Sequence, residues 1–331
     1  MSNKEFFRKH LGNMEQLASL RESVISSGRG NGVKVVEVDN GSGLTFTVMP
    51  DRACDIYSAK YKGIPLAWLA PNGIVNGNAY EPEGVMWLRS WPGGLLTTAG
   101  LLNVGGPDSG NGLHGRISHL AAEDLKLERG WVGDEYVLSV GGTVRHSMVF
   151  GEKLEMRRKI TAAYGKNVIC VEDTVENQGF EAVPLMMLYH CNFGYPVVSG
   201  QSYLDAVEHK LTPKDPHSAE GIGAWAEMSE PIHGYAEELF FHEIPAGGDG
   251  MARMSIVSKE AGLKVTMAYD PATLPVLNQW KQMGEGEYVT GLEPGNCVPI
   301  GQSGNKENGM LRMILPGEEV KFVIQIEIEE L

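Results

Sequence analysis

The sequence is poor in cysteine, in positive charge and in long apolar runs. Four cysteines, Cys54, Cys170, Cys191 and Cys297, are scattered over 331 residues without a C-x-x-C pair. That spacing offers neither a disulfide framework nor a thiolate zinc knuckle, and it suits a reducing compartment. Lys and Arg number 28 against 42 Asp and Glu, a net charge of −14, which argues against nucleic acid or an anionic membrane as the partner. No stretch approaches the roughly 18 apolar residues of a membrane span. The charged start MSNKEFFRKH has no apolar core behind it, so no export signal is read there. A cytoplasmic location is expected. The chain also lacks H-E-x-x-H and H-x-H, and His242-Glu243 has no second histidine, which weakens zinc-hydrolase and cupin readings. GRGNG, Gly28 to Gly32, follows polar sequence and enters VKVVEV, whereas a dinucleotide loop must leave a strand and open a helix; it reads as a turn. No metal or organic cofactor is expected.

Strand patterns fill most of what is present. Ser2 and Glu5 have capping-box spacing, so residues 1–25 are expected to be a short helical segment, with helix through about Leu20. Residues 26–331 then read as one β-sandwich domain. VKVVEV and LTFTVMP flank DNGSG, a strong hairpin signal. EYVLSVGGTVRHSMVF, KLEMRRKITAAY, NVICVEDTVEN, ARMSIVSKE, LKVTMAYD and EVKFVIQIEIEEL all alternate, the last with Val320, Phe322, Ile324, Ile326 and Ile328 on one face. Glycine, at 42 residues, supplies the turns that so many strands require. The fold class is all-β, a large antiparallel sandwich.

Three segments carry polar groups where a strand or tight loop makes them costly. In LMMLYHCNFGYP, alternation sends Met186, Leu188, His190 and Asn192 to one face and Leu185, Met187, Tyr189 and Cys191 to the other. Both faces are largely apolar, so His190 is either a hydrogen-bonded core residue or the floor of a cleft. In DSGNGLHGRISH, His114 lies between Gly112 and Gly115, where it either faces a ligand or caps a turn. In YVTGLEPGNCVPIG, Glu293 alternates onto the face of Val289 and Gly291, and the missing side chain at Gly291 leaves room beside the carboxyl. A strand-end glutamate exposed to solvent is the alternative.

Five motifs stand in order along the chain: PDRACDI (50–56), PGGLLTTAGL (92–101), GLHGR (112–116), YHCNFGYP (189–196) and GLEPGN (291–296). In this set the chain resembles the aldose 1-epimerases, or galactose mutarotases, and more closely an incompletely characterised subgroup of mutarotase-like proteins. The resemblance implies a galactose mutarotase-like supersandwich with a sugar cleft on a concave face. It implies an isomerase acting on a small-molecule sugar, without cofactor, and leaves a homodimer open. It implies His190 as catalytic acid, Glu293 as catalytic base, and His114 as a contact near the sugar ring oxygen. The family's arginine before the loop histidine is missing, and Arg89 is the best substitute. Its sugar-binding aspartate is replaced by EELFFHEIP, which offers Glu238, His242 or Glu243. Arg52 belongs to the subgroup's motif but lies between Asp51 and Asp55, so it reads equally as a structural ion pair. Trp280 is either a stacking platform or a core aromatic. Two further classes stay open: a non-catalytic carbohydrate-binding protein, and an epimerase acting at another carbon with His114, His190 and Glu293 as metal ligands.

Overall fold

The computed structural model describes residues 2–331, which form three antiparallel sheets. A five-stranded sheet runs in chain order: Ser19–Val24, Lys34–Asp39, Leu44–Met49, Asp55–Tyr61 and Ile64–Pro65. An eight-stranded sheet has the order Ser202–Asp205, Ala252–Ser258, Leu263–Tyr269, Glu319–Glu330, Val168–Asn177, Lys153–Ala163, Glu135–Ser147, Glu123–Val132. The third sheet runs Lys210–Pro213, Glu238–Glu243, Val276–Gly284, Glu287–Gly295, Val183–Phe193, Arg312–Ile314, with Thr97–Leu101 also on the Val183–Phe193 strand.

The alternating segments form strands where alternation places them. Val320, Phe322, Ile324, Ile326 and Ile328 all point into the main core. Strand Val183–Phe193 divides its side chains between two apolar layers, which explains why both of its faces read as apolar. Leu185, Met187, Tyr189, Cys191 and Phe193 enter the main core, and Met186 and Leu188 pack in a second cluster with Ala99, Val104 and Cys297. His190 and Asn192 continue along this second face.

Helix at the N-terminus is shorter than expected. It covers Asn3–His10, with Ser2 Oγ accepting from the Glu5 N–H at 3.2 Å; a single 3-10 turn follows at Met14–Gln16. Residues Ser19–Val24 are a strand paired with Lys34–Asp39, not helix. Ala18 and Leu20 are buried while Ser19 and Arg21 are not, a period of two, and pairing with a sheet edge overrides a weak helical pattern. Gly28–Gly30 is a 3-10 turn leading into a strand. All four cysteines are free. Among the described residues no helix is long and apolar enough to cross a membrane.

A buried ion cluster ties the three sheets together. Arg158, in the eight-stranded sheet, holds Asp173 with Nε at 2.9 Å and Nη2 at 2.6 Å, and Asp55 of the five-stranded sheet with Nη1 at 2.8 Å. Tyr189 donates its hydroxyl to Asp173 at 2.7 Å. Asp55 accepts from the N–H and hydroxyl of Thr98 at 3.0 and 2.6 Å. All of these groups are buried, so the ions are stable there only because nearly every donor and acceptor is used. Breaking such a pair from one side strands the other charge. Asp173→Ala should therefore cost about 3–5 kcal/mol, whereas Tyr189→Phe, which removes one hydrogen bond and leaves Asp173 on Arg158, should cost about 1 kcal/mol. Denaturant unfolding of both variants checks this, and equal losses would contradict it.

Candidate active site

The site starts from strand register. Leu188 pairs with Gly295 and Cys191 with Leu292, so His190 and Glu293 stand directly opposite each other on neighbouring strands. Thr97 lies on the other side of His190 and Asn278 on the other side of Glu293. His190 Nδ1 is 3.1 Å from Glu293 Oε1, and both residues are buried. Their angle is poor, however, and Glu293 Oε1 has no well-formed hydrogen bond. A buried carboxyl oxygen without a partner is costly unless a ligand supplies one. Gly291 makes the position available, because a Cβ there would stand 2.2 Å from Glu293 Oε1.

Hydrogen bonds assign the proton on each imidazole. Asn192 donates its amide N–H groups to the Gly94 and His190 carbonyls at 2.9 and 3.0 Å, so its oxygen faces His190 Nδ1 at 2.7 Å. Nδ1 therefore carries the hydrogen and donates, which leaves Nε2 as a bare acceptor. His114 is the reverse. Its Nδ1 accepts from the Gly105 N–H at 3.3 Å, so the hydrogen is on Nε2. His114 adopts a positive φ of 55°, and the loop is pinned by His114 N–H to Gly105 O and Gly100 N–H to His114 O, both 2.9 Å. One histidine offers an acceptor and the other a donor.

Both line a cavity of about 310 Å³ whose walls are Trp87, Trp91 and Trp280, with Glu293, Lys214 and Glu237 also contributing. Trp91 stands 5.1 Å and Trp280 5.5 Å from the His190 ring, centroid to centroid, and Trp280 donates its indole N–H to Glu237 at 2.8 Å. Trp280 is thus a cavity wall and not a core residue. A wider groove of about 610 Å³ lies over the five-stranded sheet, lined by residues such as Arg21, Glu37, Thr47 and Lys60. It holds no histidine and no buried charged group, whereas the smaller cavity gathers His114, His190 and Glu293.

Five expected ligand contacts lie elsewhere. Arg89 is exposed and rests on Met86 Sδ at 3.3 Å. Among the described residues Arg52 makes no direct ion pair, although the Asp55 charge acts on it, and it does not line the cavity. Its buried guanidinium donates to the carbonyls of Ser118, Val75 and Ser90 and faces His119 Nε2 at 3.1 Å, which braces the loops bearing Trp87, Trp91 and His114. Glu238 and His242 are on the wrong face of their strand. Leu239 pairs with Trp280, so Glu237 and Leu239 point to the cavity while Glu238, Phe240 and His242 point away. Glu238 takes the Tyr235 hydroxyl and lies 3.6 Å from Lys281; His242 is held by His209 at 2.8 Å and Gln279 at 3.0 Å. Glu243 is exposed and pairs with Lys210. Lys214 and Glu237 were missed, and for Glu237 the alternation around Leu239 was a usable signal. Among the described residues no group of three or more His, Cys, Asp or Glu is placed to hold a metal ion.

Residues 30–328 match a family described as a domain of unknown function, DUF4432. The chain belongs to the DUF4432 family. No curated protein matches it. Among solved structures, it is similar to a Klebsiella pneumoniae protein provisionally named an aldose 1-epimerase, with TM-score 0.88, 21% identity, and coverage of 96% of this chain and 86% of that one. It is also similar to a galactose mutarotase-like protein from Clostridium acetobutylicum (TM-score 0.65, 15% identity, 96% and 100% covered). A galactose 1-epimerase from Lactobacillus acidophilus gives TM-score 0.63 at 12% identity, with 95% and 99% covered. The DUF4432 chain therefore has the galactose mutarotase-like β-sandwich fold.

Burial sets the protonation of the site. It pushes His190 down to about 3, helped by the neighbouring His114, with the Asn192 bond opposing. His114 is lowered to about 4 by burial and by the Lys214 charge. Glu293 is raised well above the carboxylate range by burial and by Glu237. Burial thus works against an imidazolium at either ring and against the carboxylate form of Glu293. Unfolded imidazoles titrate near 6.5, so between that pH and the folded values the unfolded chain binds more protons. The histidine contribution to stability is complete above about pH 6.5 and is lost on acidification toward 4 and 3. Glu293 acts in the opposite sense, with stability declining as pH rises from about 4.5 toward its raised value. Wild type should lose about 2 kcal/mol more than His190→Asn between pH 6.5 and 4.5, measured by denaturant unfolding. Nitrogen-15 NMR should find hydrogen on His190 Nδ1 and His114 Nε2; a ring titrating near 6.5 would contradict the assignment.

Proposed function

We propose that the protein is an aldose 1-epimerase that interconverts the α and β anomers of a free monosaccharide, with Glu293 and His190 as the proton-transfer pair. The observation that carries this reading is the facing pair itself, 3.1 Å apart at the floor of a tryptophan-walled cavity. The cavity volume of about 310 Å³ stands at the low end of small-molecule sites, about 300–1,000 Å³, which suits one sugar ring. An indole face such as that of Trp280 suits the apolar C–H face of a pyranose.

The pair holds one transferable proton and one vacant site, which is what ring opening needs. In the resting form Glu293 donates and His190 Nε2 accepts. The O1 hydroxyl proton passes to Nε2, the bond from C1 to the ring oxygen breaks as the C1 carbonyl forms, and the Glu293 proton passes to the ring oxygen. Rotation about C1–C2 and the reverse transfers close the ring as the other anomer. The roles implied by resemblance, His190 as acid and Glu293 as base, start from the other microstate with the same proton count, so the pair titrates as a unit. His114 donates Nε2–H to the ring oxygen and stabilises the charge that builds there.

The reading is tested by NMR exchange between anomers over a panel of free sugars. Glu293→Gln and His190→Asn should each keep the fold and lower exchange by at least about 100-fold. The double variant should be little worse than the poorer single one, because two groups in one proton relay are not additive. Near-wild-type exchange in Glu293→Gln, against the uncatalysed rate, would leave a carbohydrate-binding protein in its place. Activity should also survive exhaustive chelation; loss on EDTA treatment, restored by a divalent ion, would replace the reading with a metal-assisted epimerase using His114, His190 and Glu293.

A further inference from the structure

The eight-stranded sheet ends in three neighbouring turns that expose large apolar side chains. The turn at 148–151 joins strands Glu135–Ser147 and Lys153–Ala163 and is closed by the Gly151 N–H on Met148 O at 3.1 Å. Phe180 lies in the turn after strand Val168–Asn177, and Leu315 in the turn before strand Glu319–Glu330. Hydrogen bonds tie the three together. Gln178 N–H donates to Lys153 O at 2.9 Å and Gly317 N–H to Asn177 O at 2.8 Å, while the Asn177 side-chain amide donates to the Glu181 and Ile314 carbonyls at 2.8 and 3.0 Å. Phe150 is fully exposed, Phe180 89% and Val149 78%, and Met148 and Leu315 are each more than half exposed. Phe150 also has a φ of 62°, a left-handed conformation disfavoured for a bulky residue, and no packing of its exposed ring explains it. None of these five residues lines the cavity of His190 and Glu293.

Area and charge point to what covers these turns. An aromatic side chain offers about 150–250 Å², so the two phenylalanines alone present roughly 300–450 Å², and with Met148, Val149 and Leu315 the patch is on the order of 700 Å². The largest apolar patch of a monomer is ordinarily about 300–600 Å², whereas each side of a stable dimer contributes about 800 Å². Two copies carrying −14 each repel over most of their surface. At this end, however, Arg312 pairs with Glu318, and Arg157 with Glu155, Glu176 and Glu319. Outside these pairs Lys153 and Glu181, both exposed, supply one charge of each sign at the rim, as a surface that meets its own copy requires. An anionic membrane would be repelled by the same −14. We infer that this end of the eight-stranded sheet is an isologous interface, where the turns bearing Phe150, Phe180 and Leu315 pack against the same turns of a second copy of the chain. The interface stands apart from the cavity and does not depend on the activity proposed above.

Sedimentation velocity of the full chain over about 1–100 µM tests this with wild type, Phe150→Asp, Phe180→Asp and the double variant. Wild type should dimerise within this range. Each single variant should weaken association at least about 30-fold, as loss of an interface hot spot does, and the double variant should be monomeric. Near-ultraviolet circular dichroism of the variants should match wild type, because the replaced rings are exposed. Hydrogen exchange of wild type, compared between dilute and concentrated samples, needs no variant and should slow at residues 148–152, 178–182 and 315–318. A monomer throughout the range overturns the inference, as does a dimer that persists in the double variant or slowed exchange confined to another surface. A chain that stays monomeric yet floats with phosphatidylcholine vesicles also overturns it and puts a lipid surface in place of the second copy.

Discussion

The Arg158 guanidinium, fully inside the protein, holds the three sheets in one arrangement. Four of its five N–H groups reach Asp173, Asp55 and the Ala53 carbonyl, and through Asp173 it grips the hydroxyl of Tyr189. A planar fork of donors has few satisfactory placements, so the cluster defines the spacing of the layers as well as adding stability. Tyr189 is the residue before His190 and points to the opposite face. The strand that carries His190 is therefore anchored from behind by charge, and the position of the ring over the cavity floor inherits that anchoring.

Desolvation does two kinds of work in this molecule. Between the sheets it makes the ions expensive and so enforces complete pairing. At the cavity floor the same cost is left uncompensated at Glu293, where the carboxyl is raised and its Oε1 unpartnered. Asn192 orients the neighbouring imidazole, and Gly291 withholds the Cβ that would occupy the space. Arg52 stands further out and joins three carbonyls around the loops that carry Trp87, Trp91 and His114. A strong donor surrounded by carbonyls has nothing left for a ligand, and its contribution to the site is the shape of the wall.

His190, Glu293 and His114 were legible in the sequence because each sat in a short segment whose alternation or glycine content singled it out, while Trp280 was open between stacking platform and core aromatic; all four meet at one cavity. Glu238 and His242 were misread for the same reason that makes strands easy to see: the period is two, so a shift of one residue exchanges the cavity face for the opposite one. Register against Trp280 decides between Glu237 and Glu238, and register is a pairing between strands some forty residues apart. Arg89 was chosen by proximity along the chain, but the 3-10 turn Met86–Arg89 buries Trp87 and leaves Arg89 outside.

Alternation, turn chemistry and glycine content, all local properties, specified an all-β sandwich and named the strands that build it. They also marked the polar residues that a strand does not hold without a reason. Protonation was beyond their reach, since whether His190 and Glu293 rest charged or neutral depends on how much water the packed layers exclude and on which nitrogen Asn192 engages. Lys214 joins the cavity only because strand Lys210–Pro213 lies at the edge of the third sheet. Contacts between residues distant in sequence are made by the fold alone, and for this chain the charge and hydrogen-bonding character of the site come from such contacts.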